Sequence, residues 1–279
     1  QKTLLIGQKL TAGTAAADTP ILVSRTDDAK TLFGIGSMLA RMHEQYRAND
    51  SAAEIWCLPV VEPGAGVSAT GTLTLTGPAS AAGTLSVYIA GQRVQSAVAA
   101  SDSATTMAAA LVAAVTAMTS LPVTASNAAG VVTFTSKWKG ITGNDISIVV
   151  NFGGQLAGEA LPAGVGASVV AMASGTAAPT LTTAITNMGD DPYDFIISPF
   201  TDSTSLDALK TELNDTTGRW AYNRQVYGHV FSAFRGSLSA CTTFGATRND
   251  QHATIAAVEA DVPTPVWEYA AAYGAPQPS

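Results

Sequence analysis

Charge is what this chain has least of. Only 13% of its 279 residues are Asp, Glu, Lys or Arg, about half of the share in an average soluble domain, while 47% are hydrophobic. Disorder driven by self-repulsion is excluded, because it needs high net charge and few apolar residues. The charges sum to -7, with 14 Lys and Arg against 21 Asp and Glu. Neutralising phosphates requires clustered cations, so no direct contact with nucleic acid is expected, nor attraction to an anionic membrane. Cysteine is scarce as well. Cys57 and Cys241 lie far apart inside the apolar runs Ile55-Trp56-Cys57-Leu58 and Leu238-Ser239-Ala240-Cys241. They read as small buried hydrophobes, as suits a reducing cytoplasm, and not as a disulfide or a nucleophile. Long hydrophobic runs are missing too. The uncharged stretch 107–119 is too short for a bilayer, and Met107, Leu111, Val115 and Met118 repeat at helical spacing, which predicts a one-sided packing helix and no membrane insertion. No basic-then-apolar leader opens the chain, and it starts at Gln1 instead of Met, so the native N-terminus is expected to be missing. Without such a leader, the sequons Asn49-Asp50-Ser51 and Asn214-Asp215-Thr216 carry no meaning.

The charge that is present divides the chain. Between Pro63 and Gly175 the charged residues are Arg93, Asp102, Lys137, Lys139, Asp145 and Glu159, which cancel, so the net charge resides in the flanks. Two compositions predict a core of 1–62 with 176–279, interrupted by an inserted domain at 63–175. Inside the insert the apolar residues alternate: Leu73 and Leu75 among threonines, then Leu85, Val87 and Ile89, then Val132 and Phe134, then Ile146, Ile148 and Val150. Period two predicts half-buried strands with Thr and Ser facing water. Turns are expected at Gly77-Pro78, Ala90-Gly91, Ser126-Asn127 and Gly143-Asn144. The insert therefore reads as an antiparallel α+β domain crossed by the 107–119 helix.

The flanks lack alternation. Leu4-Leu5-Ile6, Ile21-Leu22-Val23, 55–58, Phe195-Ile196-Ile197, Val230-Phe231 and 255–258 are continuous apolar runs, the mark of strands covered on both faces. Helices are predicted between them at 27–33, 37–48, 179–188, 204–215, 237–244 and 266–273. Thr204 and Asp207 have capping-box spacing, and Leu206, Leu209 and Leu213 supply an apolar stripe. Alternating strands and helices predict an α/β fold, a doubly wound, mainly parallel sheet.

Catalytic and cofactor signatures are largely absent. No Gly-Lys dipeptide supports a phosphate loop; Gly34-Ile35-Gly36 follows a helix, and Gly164-Val165-Gly166 sits before a strand, so both read as turn glycines. His43-Glu44 begins like a zinc helix, but the next turn offers Arg47 in place of a second ligand. No Gly-x-Ser-x-Gly elbow occurs. His229 reads as a hydrogen-bonded core residue and His252 as a loop residue. No catalytic, cofactor-binding or metal site is assigned, and no cofactor is expected. One charge pattern stands out. Asp190, Asp191, Asp194, Asp202, Asp207, Glu212 and Asp215 are followed by Arg219, Arg224, Arg235 and Arg248 with no intervening acid. Such blocks pair either within the subunit or between copies. Pairing between copies in a contracted state would let Arg219 and Arg235 be reversed to Glu with the monomer fold intact.

Several strings carry a resemblance. Asp191-Pro192-Tyr193-Asp194-Phe195-Ile196, then 206–215, then Gly218-Arg219-Trp220, Tyr227-Gly228-His229-Val230-Phe231, 244–250 and Pro263-Thr264-Pro265 resemble the tail sheath proteins of Mu-like contractile phages. The N-terminal strings 3–10 and 33–40 resemble them too, while the insert is only weakly alike. The resemblance implies a structural, non-enzymatic subunit with a subtilisin-like core fold and no active site. It implies polymerisation with other sheath subunits around a tail tube, between baseplate and tail terminator proteins, and contraction that drives the tube through the host envelope for DNA ejection. It implies a place in the virion of a myovirus or a prophage, with assembly in the host cytoplasm. It further implies that this chain, ending in Ala275-Pro276-Gln277-Pro278-Ser279, lacks the linking arms and the C-terminal sheath domain and is monomeric alone. A hydrolase on the same fold, or a recognition module carried by the insert, are the alternatives.

Overall fold

In the computed structural model, residues 1–275 are described; the terminal residues 276–279, which include Pro276 and Pro278, lie outside the described residues. The chain opens with β1 (Lys2–Gln8), β2 (Ile21–Leu22), α1 (Thr26–Phe33), α2 (Met38–Asn49) and β3 (Glu54–Val60). Then come β4 (Ser68–Thr76), β5 (Gly83–Ile89), β6 (Gln92–Val98), α3 (Ala104–Ala117), β7 (Val123–Ala128), β8 (Val131–Lys139), β9 (Ile148–Val150) and β10 (Gly166–Ala173). The remainder is α4 (Thr182–Asn187), β11 (Phe195–Ile197), α5 (Ser203–Glu212), β12 (His229–Arg235), α6 (Leu238–Ala246), β13 (Ala253–Val258) and α7 (Val266–Tyr273). The result is a mixed α/β protein with parallel and antiparallel sheets. Two compact units result: one gathers Gln1–Ala65, Ala178–Val262 and the stretch from Val266, the other Gly66–Ala177 with Pro263–Pro265.

The first unit is built on a six-stranded sheet in the order β13-β12-β11-β1-β3-β2. β1 pairs in parallel with β3 from Lys2↔Glu54 to Gln8↔Val60, and with β11 from Thr3↔Phe195 to Leu5↔Ile197. Leu4, Leu5 and Ile6 point to alternate faces and none reaches water, which is why this strand shows no alternation. The two-residue β2 runs antiparallel to β3 and closes one edge. On one face α2 lies across β1. Gly7 permits the approach, because a Cβ there would stand 3.2 Å from Leu39 Cβ and Met42 Sδ. Ser37 Oγ caps α2 by accepting from Ala40 N at 3.1 Å, and Tyr46 and Thr3 share a buried hydroxyl hydrogen bond of 2.8 Å. α7 packs beside α2, and the two are joined by the buried ion pair between Arg41 Nε and Glu268 Oε1. Burial pushes the Glu268 carboxyl above its ordinary pKa, and Arg41 opposes that shift.

α5 starts earlier than its capping-box spacing suggests. Asp202, not Thr204, is the cap: its Oδ1 accepts from Ser205 N at 3.0 Å. A carboxylate outcompetes the later threonine because it also sits favourably at the positive end of the helix dipole. The stripe of Leu206, Leu209 and Leu213 is buried.

In the second unit, β10-β4-β8-β7 form an antiparallel sheet and β6-β5-β9 a smaller one. β4 and β8 alternate strictly, burying Leu73, Leu75, Val132, Phe134 and Trp138 and turning threonines outward. α3 buries Met107, Leu111 and Val115 against strands of both sheets and ends at Ala117, so Met118 is its cap instead of a fourth stripe residue. Ala90 and Gly91, both at positive φ, make the two-residue turn that sets β6 on β5. The next turn falls at Ala129-Gly130; Ser126 and Asn127, expected there, lie inside β7. Glu159 pins the 151–160 loop, accepting from Tyr88 Oη at 2.6 Å, Gly153 N at 2.8 Å and Arg93 Nη1 at 3.3 Å. The Tyr88 hydrogen bond holds the Glu159 carboxyl below its ordinary pKa.

Removing one member of a buried ion pair strands the other. Arg41→Met is expected to lower the unfolding free energy by about 3–5 kcal/mol, and Arg41→Met with Glu268→Leu by much less, in urea unfolding followed by circular dichroism.

Candidate functional site

The acidic and arginine blocks meet within one chain, where the segment between α5 and β12 folds back on the ends of β11 and β13. Arg219 is its centre. The side chain is fully buried, and its fork donates from Nε to Tyr227 O at 3.1 Å, from Nη1 to Gly189 O at 2.9 Å, and from Nη2 to Asp191 O. Glu212 lies 3.8 Å from Nη1, and the Tyr193 ring lies 5.7 Å from Cζ. Burial lowers the guanidinium's pKa, with Glu212 opposing. A planar five-donor group suits this place, since three carbonyls converge on it, two from the connection before β11 and one from the segment before β12.

The neighbouring charges are also matched internally. Arg224 donates to Asp190 at 3.0 Å and lies 3.2 Å from Glu212. Arg248 reaches Asp207 at 3.0 Å and lies over the Phe244 ring, and Lys210 Nζ donates to Asn249 O at 2.8 Å. Asp194 accepts from Lys2 N at 2.9 Å. A cavity of 270 Å³ opens between α5 and the 245–250 turn, lined by Leu206, Asp207, Lys210, Arg248, Asp250 and Ile255. Its charged rim is already neutralised by the Arg248–Asp207 pair.

Of the two pairings open to these groups, the internal one is made: Arg219, Arg224 and Arg248 meet carboxylates of their own chain, and Arg219 is buried, so its reversal to Glu is expected to disturb the monomer fold instead of leaving it intact. Linear spacing could not show this, because Glu212 and Arg219 are brought together only when the chain turns back at Asn214, whose Oδ1 accepts from the amides of Thr216, Thr217 and Gly218.

The histidines are held structurally. His43 on α2 is fully buried, with Nε2 3.0 Å from Val23 O. His229 Nε2 meets Thr254 Oγ1 at 2.8 Å. His252 is the loop residue its polar turn suggests, in the turn before β13. It is buried, stacked on Trp220 at 4.4 Å, and hydrogen-bonded to Asp215 Oδ1 at 2.9 Å. No histidine motif points to Trp220 as that partner. Cys57 is fully buried and its thiol is pushed well above the ordinary value, whereas Cys241 on α6 is half-buried. Gly34 and Gly36 lie in the turn between α1 and α2 at positive φ. Among the described residues no cluster of three or more His, Cys, Asp or Glu side chains could hold a metal, and no helix is long and apolar enough to cross a membrane.

Residues 173–279 match the family described as the phage tail sheath protein central domain. Over 274 residues the chain is 38% identical to the Mu-like prophage FluMu tail sheath protein of Haemophilus influenzae, an alignment covering 98% of this chain and 55% of that protein. The chain thus spans about half the length of the curated relative it matches. Among solved structures, a sheath tail protein from Desulfitobacterium hafniense aligns with 97% of this chain and 57% of its own at 13% identity and a TM-score of 0.37. Another, from Listeria innocua, aligns with 83% of this chain and 47% of its own at 14% identity and a TM-score of 0.31. Structural likenesses this low carry no functional argument.

Two outcomes are expected of the buried groups. Arg219→Ala is expected to cost about 3–5 kcal/mol in urea unfolding, because Glu212 and the three carbonyls lose their partner, whereas Arg248→Ala stays within about 1 kcal/mol. Burial lowers the pKa of His43, and of His229, below the ordinary 6.5. The unfolded chain then binds these protons first, so their contribution is complete above pH 6.5 and is lost as pH falls through the folded values. The thermal midpoint should decline below that pH, and His43→Gln should flatten the decline.

Proposed function

We propose, from the match of residues 173–279 to the phage tail sheath central-domain family and the likeness of the chain to a Mu-like tail sheath protein, that it belongs to this family and is a structural subunit of a contractile tail sheath. Its subunits polymerise around a tail tube, between baseplate and tail terminator proteins, and contract to drive the tube through the host envelope. The observation that carries this reading is the 38% identity sustained over 98% of the chain. The role is non-enzymatic, its place is the virion tail, and its assembly takes place in the host cytoplasm.

Within that role, 1–62 and 176–279 form a doubly wound sheath core and 63–175 an inserted domain. The parallel order of β1, β3, β11, β12 and β13, with helices between successive strands, supports the first part. The charge-poor composition supports the second. An antiparallel sheet faced with Thr is suited to close repeated packing, where a uniformly charged surface would repel its copies.

The 279-residue chain by itself is a monomer in this reading. Light scattering on the 279-residue chain should give a mass near 28.4 kDa. Electron microscopy of the full-length protein should show long hollow tubes. Discrete globular particles under all conditions, or tubes that persist when residues 176–275 are deleted, would refute the sheath role.

A further inference from the structure

The layering of the parallel sheet is incomplete on one flank. α6, with the sequence Leu238-Ser239-Ala240-Cys241-Thr242-Thr243-Phe244-Gly245-Ala246, carries no charge and buries no residue. Leu238 is 77% exposed, and Phe244, half-buried, stacks face to face on Phe234 at 4.1 Å. A helix of this length gains little from propensity and is ordinarily stabilised by the face it buries. Beneath it, β13 is the last strand of the sheet among the described residues, and five of its six residues reach solvent to some degree. Compare β1, where six of seven are buried. β13 also lacks the charge, proline or bulge with which natural sheets guard an edge.

A second copy is the poorer occupant. Each copy brings a net charge of -7, and acids stand at both ends of β13, with Asp250 before it and Glu259 and Asp261 after it. Symmetric pairing of two β13 strands would set these acids against one another. Nearly half of the curated relative lies outside the aligned stretch.

We propose that the α6–β13 flank is an interior surface of the complete subunit, covered in cis by polypeptide from outside these 279 residues. An apolar segment seats on Leu238 and Phe244 and closes the open edge of β13. The proposal rests on the sheath reading, since that reading supplies the additional polypeptide.

Hydrogen exchange tests it on two samples: the 279-residue chain and the unpolymerised, monomeric fraction of the full-length protein. Amides of α6 and β13 should exchange at least about tenfold more slowly in the full-length monomer, and Cys241, reactive to maleimide in the short chain, should be shielded. Leu238→Asp should leave the thermal midpoint of the short chain unchanged and remove the extra protection in the full-length monomer. Equal exchange in both samples overturns the proposal. So does protection that develops only in the polymer, which assigns the cover to a neighbouring subunit, or protection of the short chain that rises with concentration, which assigns it to a second copy. Tube formation, scored separately by microscopy, distinguishes failure of this proposal from failure of the sheath reading.

Discussion

A parallel sheet is stable only where both of its faces are kept from water, and in the first unit that requirement is met completely at β1 and fades outward. β1 sits between β3 and β11 with Leu4, Leu5 and Ile6 sealed on both sides. The cover over it explains several otherwise separate details. Gly7 lets α2 approach, Ser37 starts α2 at the right place, and Arg41 reaches across to Glu268 so that α7 is fixed beside it. Toward β13 the same requirement goes unmet, which makes that flank the part of the sheet most in need of another partner.

Where charge is this scarce, several of the charged groups hold the fold together. Arg219 is sequestered from water and ties the connection before β11 to the segment before β12 through three carbonyls, with Glu212 balancing it. Arg224 and Arg248 fasten the same region from its surface. A buried guanidinium costs a great deal to desolvate, so it persists only where its donors are met; here they are met by carbonyls on both sides of β11.

Much of the secondary structure was legible because burial and periodicity are coupled. Continuous runs such as Phe195-Ile196-Ile197 became parallel strands, and alternation at Leu73 and Leu75 became a half-buried antiparallel one. Less legible were β6 and β7, whose sequences QRVQSAV and VTASNA are too polar to declare themselves. Pairing made them strands: β6 is registered on β5 by the Ala90-Gly91 turn, and β7 on β8 by Ala129-Gly130. The burial of His252 escapes the sequence pattern for a related reason. A polar turn places it in a loop, but only Trp220, distant in sequence and lying flat against the ring, removes it from solvent.

By itself, the sequence determined element types, a mixed α/β composition and the family resemblance, since each of these depends on residue order within a short window. Only the tertiary structure decided which charges meet. Glu212 and Arg219 lie on either side of the Asn214 turn, and Arg41 and Glu268 belong to opposite ends of the chain; their pairing depends on how helices pack on the sheet, a property that no local pattern encodes. It also decided that α6 and β13 lack a cover, because the burial of a strand or helix is set by its neighbours in space.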